Sequence, residues 1–232
     1  MKVDQSSPNP AMVSIIQDPH QIITLDANFI IPPNRNKLKT NITFEQFRKI
    51  WVDPIFDAFP NLAVHEAVYE EFVIDSVKKY VDEKINFTPP KLLVHKDSSL
   101  TPEEQILRDT IEDILSPFTK YSPLIENKVD RGEVKSLSYM AVKGLLYFAA
   151  HDSQALQLIE KSEEWNTGLD CVQAIKMYEL IYYLLKTGRS SKDSLRYLYR
   201  YQYYLTTQEK SNNPEWGVFV IEMDKFYGSL LV

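Results

Sequence analysis

Residues 22–31 read IITLDANFII, an apolar, β-branched run broken once, by the carboxylate of Asp26. A run of this kind reads as a strand buried on both faces of a parallel sheet. A lone charge in that setting is costly unless it is paired or bound to a metal. Three further segments place carboxylates near the expected ends of elements: Glu71 in HEAVYEEF, Glu133 in DRGEVKSLSYMA and Asp152 in YFAAHDSQAL. In an open α/β sheet, ligands sit at the carboxyl ends of the strands. Carboxylates from these four segments, meeting at that rim, would make a hard oxygen site for Mg²⁺ or Mn²⁺. Such a site can activate a water and stabilise the leaving oxygen of a phosphodiester.

Each position also has a structural reading. Asp26 suits a strand edge, Glu71 competes with Glu66 and Glu70, Glu133 suits the positive end of a helix, and Asp152 suits an N-cap. His151 offers a general base that a two-metal hydrolase does not need. Ser153 has no Ser–His–acid setting. His65 and His95 are given no role.

The elements that must position these residues alternate in type. Expected strands lie at 22–31, at Asn61–Val64, at KLLVH and at GLLYFAA. Between them the sequence predicts helices through TFEQFRKIWVDPIFDAF, capped by Thr43, and through EAVYEEFVIDSVKKYVDEKI. A further helix starts at Thr101-Pro102-Glu103-Glu104 and runs to about Leu115. Others span 130–143, SQALQLIEKSEEW and the long stretch LDCVQAIKMYELIYYLLKTG. NRNKLKTN reads as a polar loop and VFVIEM as an extra strand. Alternation of this kind implies the α/β class, an α/β/α sandwich around a mainly parallel sheet. The organisation expected is a lead-in at 1–20, a catalytic domain at 21–188, and a mostly helical C-terminal extension at 189–232 packing on it.

The 232 residues carry 32 acids against 26 Lys and Arg, a net charge of −6. That balance does not advertise a phosphate-binding surface, so any basic track must be local. One lies in the tail, where Lys192, Arg196 and Arg200 recur at helical spacing with Tyr197, Tyr201 and Tyr204 interleaved. Arginine with aromatics grips single-stranded RNA through phosphate contacts and base stacking; the same pattern packs tyrosines into a core. The single cysteine, Cys171, excludes an intramolecular disulfide and a Cys-based zinc finger, and is expected in a helix core. Nothing resembles a secretory signal or reaches transmembrane length, so a soluble, cytoplasmic protein is expected. Absence of a Gly-rich loop with its lysine excludes a P-loop NTPase.

The ordered set LDANFII, AVHEAVYEEF, DRGEVKSLSYMAV and YFAAHDSQAL resembles the four motifs of the PIN domain, across roughly residues 21–187. That family comprises metal-dependent ribonucleases, among them toxins of toxin–antitoxin pairs and RNA-processing enzymes. The resemblance implies an endoribonuclease with Asp26, Glu71, Glu133 and Asp152 as catalytic metal ligands for Mg²⁺ or Mn²⁺. It also implies Asn28 and Asp130 as supporting residues around them. RNA would be the partner, guided by Arg131, Arg196 and Arg200, with an antitoxin-like protein inhibitor or self-association as further partnerships. Two positions depart from the family. Ala150 stands where many members carry Thr or Ser, and Glu133 where Asp is commoner. These departures give the alternative expectation of a non-catalytic PIN-like module that binds RNA or protein.

Overall fold

The computed structural model describes residues 2–35, 40–151 and 153–231. Part of the expected NRNKLKTN loop, and Asp152, lie outside them. The protein is α/β: five short strands form one parallel sheet flanked by helices. The strands are β1 (Ile23–Leu25), β2 (Leu62–His65), β3 (Leu92–His95), β4 (Tyr147–Ala150) and β5 (Gln173–Lys176), in the order β3-β2-β1-β4-β5. The chain steps outward from β1 through β2 to β3, then returns to the other side of β1 to place β4. That reversal makes the β1/β4 boundary a topological switch point, the place where open α/β sheets bind ligands. Registry there is fixed by pairing Ile23 with Tyr147, Thr24 with Phe148 and Leu25 with Ala149.

Every residue of β1, β2 and β4 is buried, whereas β3 is buried only at its first residue. This is why the inner strands read as unbroken apolar runs. The chain divides into two compact units, one made of 22–31 and 61–174, the other of 1–21, 32–60 and 175–232. Neither coincides with the segments 1–20, 21–188 and 189–232. Composition marks changes along the chain, whereas packing selects stretches far apart in it.

In the first of these units, helix Pro102–Leu115 starts where its sequence predicts. Thr101 Oγ1 accepts from Glu104 N–H while the Glu104 carboxylate accepts from Thr101 N–H. Helix Arg131–Lys143 follows Asp130, which sits in the left-handed region at φ 58°. The expected helix after β2 is broken: Glu66–Tyr69 is a short helix and Asp75–Ile85 a separate one, with Glu71 in the turn between them. The expected strand at 22–31 also stops early. β1 ends at Leu25, and Ala27–Phe29 forms a 3-10 turn closed by Phe29 N–H to Asp26 C=O.

In the other unit, residues 10–17 are not a loose lead-in. Pro10–Gln17 is a helix capped by Asn9, with Ala11, Met12 and Ile15 buried. The stretch expected as one helix from Leu169 instead yields β5 and helix Met177–Lys186. Cys171, which belongs to the unit of 22–31 and 61–174, is exposed in the turn before β5, so it is not a core residue. VFVIEM is not a strand but lies in helix Trp216–Tyr227. Its buried side chains, Trp216, Phe219, Met223 and Tyr227, recur at helical spacing, which overrides the β-branched composition. These pack with Tyr199, whose ring stacks on Phe219 at 4.4 Å. Among the described residues no helix is long and apolar enough to cross a membrane.

Candidate functional site

Acidic residues follow the carboxyl ends of three neighbouring strands: Asp26 after β1, Glu66 after β2 and Asp97 two residues after β3. The rim holds two differently built groups.

Asp26 is 2% exposed. Its own N–H donates to Ala149 C=O at 3.0 Å, which fixes it beside β4 at the switch point. One carboxylate oxygen accepts from the Asn28 amide at 2.8 Å. Glu71 belongs to the same group. Its residue as a whole is exposed, but its carboxyl end lies against the Gly132 backbone, close to Val68. A Cβ added at Gly132 would collide with Glu71 Oε1, so a residue without a side chain is required for this approach. Burial of the carboxyl end, and then the charge of Asp26, push Glu71 up to about 7, against a backbone hydrogen bond from Gly132 and the charge of Arg131. Two carboxylates therefore repel one another at the switch point, and a cation placed there would relieve both.

Glu133 follows Gly132 in the first turn of its helix and is half-buried. Asp130 adds repulsion at Glu71, while its carboxylate accepts from Lys120 N–H at 2.8 Å. Arg131 is held by Glu70. Of the four expected ligands, Asp26 and Glu71 lie near enough for the charge of Asp26 to act on Glu71, and Glu133 follows the glycine against which Glu71 lies. Asp152 lies outside the described residues. Arg196 and Arg200 belong to the other compact unit.

The second group was not anticipated. His65, Glu66 and Asp97 have ligand atoms within 4.8 Å of one another, a spacing that could hold a metal ion. Their hydrogen bonds point elsewhere. His65 Nδ1 accepts from Ala67 N–H at 3.2 Å, which leaves Nε2–H to donate to Asp97 Oδ1 at 3.1 Å. Glu66 Oε1 accepts from Asp97 N–H at 2.8 Å, and Arg108 stands 3.6 Å from Asp97 Oδ2. Burial pushes Asp97 up, but the hydrogen bond and charge of His65, with Arg108 and Lys135, hold it below the ordinary carboxylate value. Both ring nitrogens of His65 are committed, and protein cations already balance the acid. Beside it, the Tyr139 ring lies 5.4 Å from His65 and 5.0 Å from His95. Burial, then His65, lowers His95 to about 4.

The signal for this group was legible: LAVH-E and LLVH-KD each end an apolar run in a charge, as ITL-D does. What the sequence does not print is that β2 and β3 pair His65 with His95, which brings the two ends together.

No protein-family model, curated protein or solved structure matches this chain.

Proposed function

We propose that the chain is a PIN-like, divalent-metal-dependent endoribonuclease, with its site at the β1/β4 switch point. The observation that carries this reading is a Glu71 carboxylate seated against Gly132 within reach of the charge of buried Asp26. The donor set fits Mg²⁺ or Mn²⁺: the atoms are hard carboxylate oxygens, and one acid is raised by burial and then by its neighbour's charge. Asp26, Glu71 and, from its place beside Gly132, Glu133 would hold the ion; Asp152 follows β4 in sequence as the remaining candidate. When bound, such an ion lowers the pKa of water and offsets charge developing on a phosphodiester.

The chain's own residues set the conditions for that. Burial of Asp26 keeps its field strong, because little water screens it. Asn28 orients its carboxylate. The Gly132 N–H donates to the Glu71 carboxylate and favours its ionised form, the form that binds a cation. RNA is the substrate class the family resemblance suggests.

The decisive experiment is cleavage of labelled single-stranded and structured RNAs with Mg²⁺, Mn²⁺ or EDTA, by wild type and Asp26→Asn. Metal-dependent cleavage lost in the variant supports the assignment. Equal cleavage by a folded variant sinks it.

A further inference from the structure

The last unit contains a cavity of about 480 Å³ unrelated to the acidic rim. That lies within the range of small-ligand sites, ~300–1,000 Å³. One wall is helix Lys192–Tyr203, which presents Arg196, Tyr197, Arg200 and Tyr201; Tyr204 and Lys210 close the cavity further along the chain.

Its chemistry is uneven in an informative way. Tyr201 is built in: it is 4% exposed, and its hydroxyl donates toward Thr40 C=O at 3.1 Å and Pro33 C=O at 3.3 Å. Tyr197 stacks on it, ring centroids 6.1 Å apart and planes 29° from parallel, yet is 48% exposed. A fixed ring thus supports a second ring whose outer face is open. Lys210 Nζ stands 5.9 Å from the Tyr204 ring. Among the described residues the side chains of Arg196 and Arg200 have neither an ion-pair nor a hydrogen-bond partner. Asp193 is the lining acid, against three lining cations. Two neighbouring guanidiniums that spend none of their fork geometry inside the protein are arranged to bind an oxyanion, and the open tyrosine face beside them offers a planar group something to stack on.

We propose that this cavity is a nucleotide-binding site, in which Tyr197 stacks on the base while Arg196, Arg200 and Lys210 hold the phosphate. The chemistry is shared by a free nucleoside monophosphate and by one residue of single-stranded RNA. It does not depend on the metal site, because these side chains need no cation to bind phosphate.

The test is equilibrium titration of the full chain in EDTA with adenosine monophosphate, inorganic phosphate and a short oligoadenylate. Wild type is compared with Arg196→Gln/Arg200→Gln, Tyr197→Leu and Tyr197→Phe. All three positions of change are on the surface, and a thermal melt checks each fold. Removing the arginines weakens binding at least about tenfold and lowers the oligomer's salt slope by roughly 1.4, at about 0.7 per charge. Tyr197→Leu weakens nucleotide binding about tenfold while Tyr197→Phe, which keeps the ring, does not. Tighter binding of the oligomer than of the monophosphate assigns the site to RNA; equal binding assigns it to free nucleotide. Absence of binding by either, inorganic phosphate binding as well as the monophosphate, or indifference to the arginine or leucine changes overturns the proposal.

Discussion

Two acidic groups share one rim of the sheet, and they differ in what balances them. Around Asp97 the protein supplies its own partners: His65 Nε2–H donates to it, the Arg108 guanidinium lies beside it, and the carboxyl is held low. Around Glu71, burial and then the charge of Asp26 hold the carboxyl high, against a hydrogen bond from Gly132 and the charge of Arg131, which also pairs with Glu70. Proximity of acids alone would rank the His65–Glu66–Asp97 group as the better metal centre. On the function proposed above, compensation reverses that ranking. A group whose charge is already balanced inside the protein gains little from a metal, whereas a repelling pair gains much.

The comparison breaks most directly at Asp26. Asp26→Asn should lower metal-dependent RNA cleavage about a hundredfold or more, since a lost ligand removes several kcal/mol of charge stabilisation. The matching change Asp97→Asn should leave cleavage within a few-fold of wild type. Equal losses in steady-state assays would mean that the two groups act as one site.

Gly132→Ala is the next largest effect. The new methyl displaces Glu71 Oε1 and presses on Val68 Cγ2, 3.1 Å away. Divalent-ion affinity, read by calorimetric titration, should fall about tenfold, roughly the share of one displaced ligand. Stability should fall by no more than about 1–2 kcal/mol, because crowding of Val68 is partly offset by alanine's helix preference of up to ~1 kcal/mol over glycine. A drop in stability with unchanged metal affinity would show that Glu71 is not a ligand.

His65→Gln should cost about 1–3 kcal/mol in urea unfolding, because it leaves Asp97 and the Ala67 N–H short of their buried partner. Metal affinity should not change. A loss of affinity would move the metal site to this group.

The smallest effect is in pH dependence, where the two groups have opposite signs. Glu71 is raised in the folded state, so it is protonated there while already ionised in the unfolded chain. Its contribution therefore lowers stability as pH rises from about 4.5 to about 7. Asp97 is lowered, so its contribution is present above its unfolded value and lost as pH falls through the folded one. Glu179 is buried among Asn9, Lys176 N–H and Tyr227 and also rises to about 7, so the wild-type profile alone mixes its contribution with that of Glu71. Differences between variants separate them in denaturation at pH 4 to 8. Glu71→Gln should flatten the decline toward neutrality, and Asp97→Asn the acid limb. Glu71→Gln leaving the profile unchanged would remove the repelling pair.

Much of the framework was legible in the chain itself. Apolar runs of strand length gave the inner strands, because residues buried on both faces of a parallel sheet need no polar alternation. The Thr101-Pro102-Glu103-Glu104 start was readable because caps and first-turn proline are local chemistry. Asp26 stood out because a charge in such a run requires an explanation. Where local signals conflicted, packing decided. QAIK became a strand inside a helical-looking stretch, and VFVIEM became a helix because its buried residues recur at helical spacing.

What only the tertiary structure decided is which acids meet and what surrounds them. Sequence order placed Glu71, Glu66 and Asp97 alike near strand ends. The broken helix after β2 turned Glu71 onto Gly132, while pairing of β2 with β3 gave Asp97 to His65. A carboxylate's type is written in the sequence, but its charge state depends on burial and on neighbours within a few ångströms, and those are contributed by segments far away in the chain.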